Sequence, residues 1–200
     1  MDDKLKILEK AKKIIRTDGW SDDIFNKLSK KNLNKDNLIF HFPNGYKELL
    51  NLALKELNDK HDVKVRKKNI INFPLSLRIK KILMLRFEIL EEDKNFYRKT
   101  FNHLLLPQNF KVMKKNLYKT IDNMWYLAGD NSTDFSFYTK RITLMGIYVN
   151  SLFVFYNNGF KKTEINIDQN LKKISKIPKI KKRFSFMKDN LPIVLKGLFN

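Results

Sequence analysis

Cysteine is absent from this chain of 200 residues. That excludes a disulfide scaffold, a thiol nucleophile and any cysteine-ligated metal. Histidine occurs three times, at His41, His61 and His103, and these are too scattered in sequence for a histidine cluster, so no metal and no cofactor are expected. No glycine-rich phosphate loop is present, and apolar alternation at period two is missing throughout, so no run reads as a strand. No apolar leader opens the chain; its start is amphipathic, and a cytoplasmic protein is the expectation. The densest apolar run, residues 142–156, is interrupted by Thr143, Asn150 and Ser151 and falls short of the ~20 residues of a membrane span.

Acidic residues are also scarce, 21 against 41 Lys and Arg, which leaves a formal charge of +20. With 34 Lys, only 7 Arg and 22 Asn, part of this excess is a compositional bias spread over every surface. The remainder favours an anionic partner, nucleic acid or acidic membrane.

What is present is helical. Residues 2–17 place Leu5, Leu8, Ala11 and Ile15 on one face, Gly19 ends that helix, and Trp20 packs back. Ser21 is read as the cap of a short helix at 21–31, Asn34 as the cap of 35–42, and Pro43-Asn44-Gly45 as the turn into a helix at 46–59. Residues 61–72, basic and weakly patterned, read as a helix end and connector. Leu75, Ile79, Leu83, Phe87 and Leu90 stripe a helix at 75–92, and another follows at 93–105. In 110–128, Met113, Leu117, Ile121, Met124 and Ala128 share a face, Gly129 closes the helix, and a cap-rich stretch leads into 135–156. That last helix is apolar nearly all round, as befits the centre of a bundle, a subunit interface or a lipid cavity. Residues 165–177 form one more helix, and 190–200 a final amphipathic one.

The chain is therefore all-α. Three blocks in its second half occur in a specific order: LPQN at 106–109, W-x-x-A-G-D at 125–130 and S-T-D-F-x-x-Y-T-K-R at 132–141. Together they resemble the C-terminal domain of the Coq-nine family, lipid-binding accessory proteins of ubiquinone biosynthesis that have bacterial members. A close likeness covers about 50 residues, and a looser one most of the chain. One departure stands out, since the family usually has Trp where this chain has Phe137.

The resemblance implies a TetR-like helical bundle with a helix-turn-helix-like head at 1–60, a lipid-binding and dimerising body at 61–177, and a basic, membrane-anchoring tail at 178–200. It implies a protein that carries an isoprenoid quinone or a precursor lipid and presents it to the demethoxyubiquinone hydroxylase, and the apolar excess on 135–156 suggests a homodimer. The partner-binding patch would be Asp134, Phe137, Tyr138 and Arg141. Lipid would be lined by Leu117, Ile121, Met124, Leu144, Met145, Tyr148 and Leu152, positions for which ordinary core packing is the simpler reading. In the tail, a run of eight basic residues between Lys172 and Lys188 contains no acid and leads into an apolar stripe. Lys181, Lys182, Arg183, Phe184, Met187, Leu191, Leu195, Leu198 and Phe199 would meet the membrane surface, peripherally and on its inner face.

Two other classes compete, a transcription regulator and a structural interaction module with no ligand. LIFHFPNGYKELL at 38–50 resembles the head of TetR-type regulators, which bind DNA. Yet residues 35–42 offer a duplex only Lys35, Asp36, Asn37 and His41, so DNA is disfavoured as a partner. An enzyme would need a nucleophile with its base, or carboxylates of separated pKa. Asp122, Asp130 and Asp134 are the one acidic cluster, and Asp130 and Asp134 read as helix caps or ion partners of Lys140 and Arg141. No catalytic residue is expected.

Overall fold

A computed structural model of the protein describes residues 3–31, 33–133 and 135–176. Among them are nine α-helices and no strand: α1 (Asp3–Asp18), α2 (Ile24–Ser29), α3 (Lys35–His41), α4 (Tyr46–Arg66), α5 (Leu75–Glu92), α6 (Lys94–Leu104), α7 (Phe110–Leu127), α8 (Phe135–Asn158) and α9 (Phe160–Lys176). A single 3-10 turn, Pro107–Asn109, precedes α7. The chain divides into two compact units, 1–60 with 89–113, and 61–88 with the residues from 114 onward.

In the first unit α1 buries Ile7, Leu8, Ala11, Ile14 and Ile15 and packs on α6. Lys12 is buried on that same face, which its charge forbids unless it is paired. Its Nζ donates to Glu9 and Glu56, each at 2.6 Å. Burial raises the Glu56 carboxyl pKa, but hydrogen bonds from Lys12 and Lys60 outweigh it and leave the carboxyl below its ordinary value. Trp20 packs back as read, and its Nε1 donates to the Thr100 hydroxyl at 2.9 Å. Asn34 caps α3, its side chain accepting from the Asp36 backbone N–H at 2.8 Å. Ser21 does not cap α2. That helix starts only at Ile24, whose N–H bonds the Ser21 carbonyl instead of its hydroxyl.

In the second unit α8 and α9 form an antiparallel hairpin across Gly159, whose φ of 84° suits a residue without Cβ. Asn166 of α9 accepts from Ser151 of α8 at 3.2 Å. Thr163 bonds back to the Gly159 carbonyl at 2.9 Å, so α9 begins at Phe160 rather than at 165. Phe87 of α5 packs on Tyr148 and Phe155 of α8, with ring centres 6.0 and 5.2 Å apart.

α4 also outruns its expected end at 59 and continues to Arg66. His61 and Val65 are buried one turn apart, so the stretch read as connector has an inward face. His61 Nε2 lies 2.9 Å from the Ile82 carbonyl, and burial, reinforced by the charge of Arg86, drives the imidazole pKa down to about 3. It is a neutral, hydrogen-bonded core histidine. α5 has the bounds the stripe predicts, but Leu75, read on its buried face, is 38 % exposed.

Candidate functional site

The family-like blocks meet around the turn between α7 and α8. Gly129, with φ of 79°, closes α7: the Gly129 N–H bonds the Tyr126 carbonyl at 2.9 Å and the Asp130 N–H bonds that of Trp125 at 3.0 Å. This is a Schellman closure, which needs the left-handed residue that A-G-D provides. It delivers Asp130 to the interior, where its side chain keeps 3 % of its exposure. Lys140 Nζ donates to it at 2.6 Å and Ser132 Oγ at 2.7 Å. Burial pushes this carboxyl pKa up, but the two donors outweigh burial and hold it below the ordinary aspartate value.

Arg141 joins the same network from the first turns of α8. Its Nε and Nη2 both lie 2.7 Å from Asp122 Oδ1 of α7, Nη1 is 3.5 Å from Asp130, and Nη1 also donates to the Phe137 carbonyl at 3.1 Å. Asp122 and Asp130 therefore act as ion partners of Arg141 and Lys140, the role that the sequence suggested for Asp130 but not for Asp122. Two acids from α7 and its turn thus lock to two cations of α8. Lys140 also lies over the Trp125 ring at 5.6 Å. The buried Nε1 of Trp125 has no hydrogen-bond partner among the described residues.

The expected partner patch splits. Arg141 is buried, with its charge directed inward, and so it braces the hairpin. Phe137 and Tyr138 are half-buried neighbours whose rings meet edge to face at 5.1 Å. Asp134 lies outside the described residues. Of the expected lipid contacts, Ile121, Met124, Leu144, Tyr148 and Leu152 are buried, and Leu117 and Met145 are half-buried. They form part of the core of the second unit, and Tyr148 accepts from Arg86, another buried cation, at 3.4 Å. All nine expected membrane contacts, from Lys181 to Phe199, lie outside the described residues.

The described residues form an open recess at a different place, of about 560 Å³, between the α4–α5 loop and the C-terminal end of α7. Arg66, Lys67, Lys68, Ile71 and Tyr126 are among its lining. Sequence reading did not single it out, although the acid-free run from Val63 to Phe87 was a usable signal. Among the described residues no group of three His, Cys, Asp or Glu could hold a metal, and no helix is long and apolar enough to cross a membrane. α3 turns Ile39 and Phe40 to solvent, 51 and 80 % exposed, an apolar rather than basic face.

Residues 110–178 match the COQ9 family. The chain is 53% identical over 45 residues to the mitochondrial ubiquinone biosynthesis protein COQ9 of Rattus norvegicus, a match covering 22% of this chain and 14% of that protein. It is 29% identical over 150 residues to COQ9-A of Xenopus laevis, covering 72% and 47% respectively. With the probable coq9 protein of Dictyostelium discoideum it shares 23% identity over 160 residues, 74% of this chain and 50% of that protein. The matched regions span half or less of these relatives. All three are named as mitochondrial proteins, which lends no support to a bacterial origin for this chain.

Proposed function

The chain is placed in the COQ9 family by residues 110–178, and from that premise we propose that it serves ubiquinone biosynthesis as a non-catalytic, lipid-binding accessory protein. The supporting observation is the coincidence of the family sequence with the α7–turn–α8 hairpin and its ion network. In this reading the network is a frame. It holds Phe137 and Tyr138 half out of the surface, side by side, where a hydroxylase partner could seat on them.

The cargo is an isoprenoid quinone or a precursor of one. Its chain would enter by parting the apolar side chains shared by α7 and α8, Ile121, Met124, Leu144 and Leu152 among them. These four side chains are buried in the body. The basic tail meets the membrane peripherally, and the apolar excess on α8, including the exposed Ile142 and Phe153, serves as a homodimer interface.

Native mass spectrometry with lipid extraction tests this, on protein purified from a quinone-making host. A bound species with the mass of an isoprenoid quinone or precursor is the expected result. Protein that emerges empty and shifts a DNA duplex at moderate salt would replace the carrier with a regulator.

A further inference from the structure

From Val63 to Phe87 the chain carries eight cations and no acid. The fold provides for five of them. Lys64 pairs with Glu88, Lys80 with Asp168 and Glu164, and Lys81 lies over the Phe73 ring. Arg78 donates to the Phe73 and Ala128 carbonyls, and Arg86 to Tyr148. Arg66, Lys67 and Lys68 are different: they are consecutive, exposed, and make no ion pair among the described residues.

Directly after them the same loop and the start of α5 expose large apolar side chains at alternate positions. Ile71, Phe73, Leu75 and Leu77 are 53, 37, 38 and 36 % exposed. The loop is not loose, since Ile70 is buried and Arg78 ties two carbonyls to one guanidinium, at 2.6 and 3.0 Å. A braced segment thus presents cations the fold does not neutralise beside apolar area it does not bury. Nucleic acid would satisfy the cations and leave the apolar row in water. An anionic bilayer satisfies both, phosphates meeting the cations and the headgroup boundary taking the apolar side chains.

We propose that residues 66–77 dock on an anionic lipid surface, with Arg66, Lys67 and Lys68 on headgroup phosphates and Ile71, Phe73, Leu75 and Leu77 in the headgroup boundary. The open recess beside the loop gives a phosphate room among the three cations. This contact does not depend on quinone carriage or on the basic tail.

Because the chain has no cysteine, Ile71→Cys in the full-length protein accepts a single environment-sensitive dye. The expected result is a blue shift, and protection from an aqueous quencher, on adding vesicles of phosphatidylcholine with phosphatidylglycerol, and little change with phosphatidylcholine alone. Changing Arg66, Lys67 and Lys68 together to Gln should weaken binding to the anionic vesicles by on the order of 100-fold at low salt. A dye that stays in water while the protein binds vesicles overturns the inference and leaves the tail as the anchor. It is equally overturned by unchanged affinity of the triple variant, by no vesicle binding, or by a dye that answers a nucleic-acid duplex instead. A blue shift with no extractable quinone would sink the carrier reading and leave this contact standing.

Discussion

Arg141 stacks on Phe137, its guanidinium carbon 3.3 Å from the ring centre, while its Nη1 reaches the carbonyl of the same residue. One aromatic side chain therefore has two tasks, covering a buried cation and facing outward with Tyr138. Arg141→Met should cost about 3 kcal/mol in urea denaturation, because it takes one of two cations from the buried Asp130 and removes the buried guanidinium's bonds to Asp122 and the Phe137 carbonyl. Asp122→Asn should cost under about 1 kcal/mol, since that carboxylate is 45 % exposed. Phe137→Trp keeps the stack and should fold with near-parental stability. If the hydroxylase reading holds, it should also capture the hydroxylase at least as well as the parent, in pull-down; equal losses for Arg141→Met and Asp122→Asn would argue against a buried anchor.

His61 gives the fold an acid sensitivity. Its imidazole pKa is about 3 in the folded protein against an ordinary 6.5, so between those values the unfolded chain binds the proton and the folded one does not. Its contribution is complete above about pH 6.5 and declines as the pH falls toward 3. Unfolding at pH 4 should therefore take on the order of 3 kcal/mol less from this group than at pH 7. His61→Gln retains a donor for the Ile82 carbonyl without titrating. Its stability should fall less steeply with acid, and parallel pH profiles would show that His61 is not the sensor.

Helix positions were legible wherever a stripe met a clear stop. α5 carries the bounds its apolar period predicts, and α7 ends at the glycine chosen for it. The C-terminal end of α4 and the start of α9 were not legible, because His61 counted as polar although it is buried and neutral, and because Thr163 is buried and donates its hydroxyl back to the Gly159 carbonyl. For the site, Asp130 could be set beside Lys140 and Arg141 from sequence alone, whereas the part of Asp122 as the near partner of Arg141 could not. That Arg141 points inward could not, since a surface arginine and a buried one have the same letter. The cations at 66–68 were passed over because charge reads as solvation until burial shows what stands beside it.

Trp20 depends on Thr100 for its one polar contact, the 2.9 Å bond from the indole N–H. Thr100→Val keeps the shape and leaves that buried donor without an acceptor, which should cost about 1–3 kcal/mol. Thr100→Ser keeps the hydroxyl and should cost less. Trp20 fluorescence during denaturation reads the comparison, and a valine variant as stable as the parent would mean that water replaces the lost acceptor.

Gly129 and Gly159 both hold positive φ, at 79° and 84°, but in different surroundings. An added Cβ at Gly129 would sit 3.3 Å from Arg78 Nη1, whereas at Gly159 it would meet nothing within 4 Å. Gly159→Ala should therefore show only the backbone strain, about 1 kcal/mol. Gly129→Ala should exceed it, because Arg78 is tied to two carbonyls and yields only by giving one up. The excess should vanish in a double-mutant cycle with Arg78→Met, where the two changes couple instead of adding. Strain at Gly129 also displaces Asp130, the next residue, from Lys140 and Arg141. Gly129→Ala should then loosen the frame under Phe137 and Tyr138, read as faster hydrogen exchange in the first turns of α8, while Gly159→Ala leaves that segment protected. Equal exchange in both variants would show that the A-G-D turn does not set the position of the ion network.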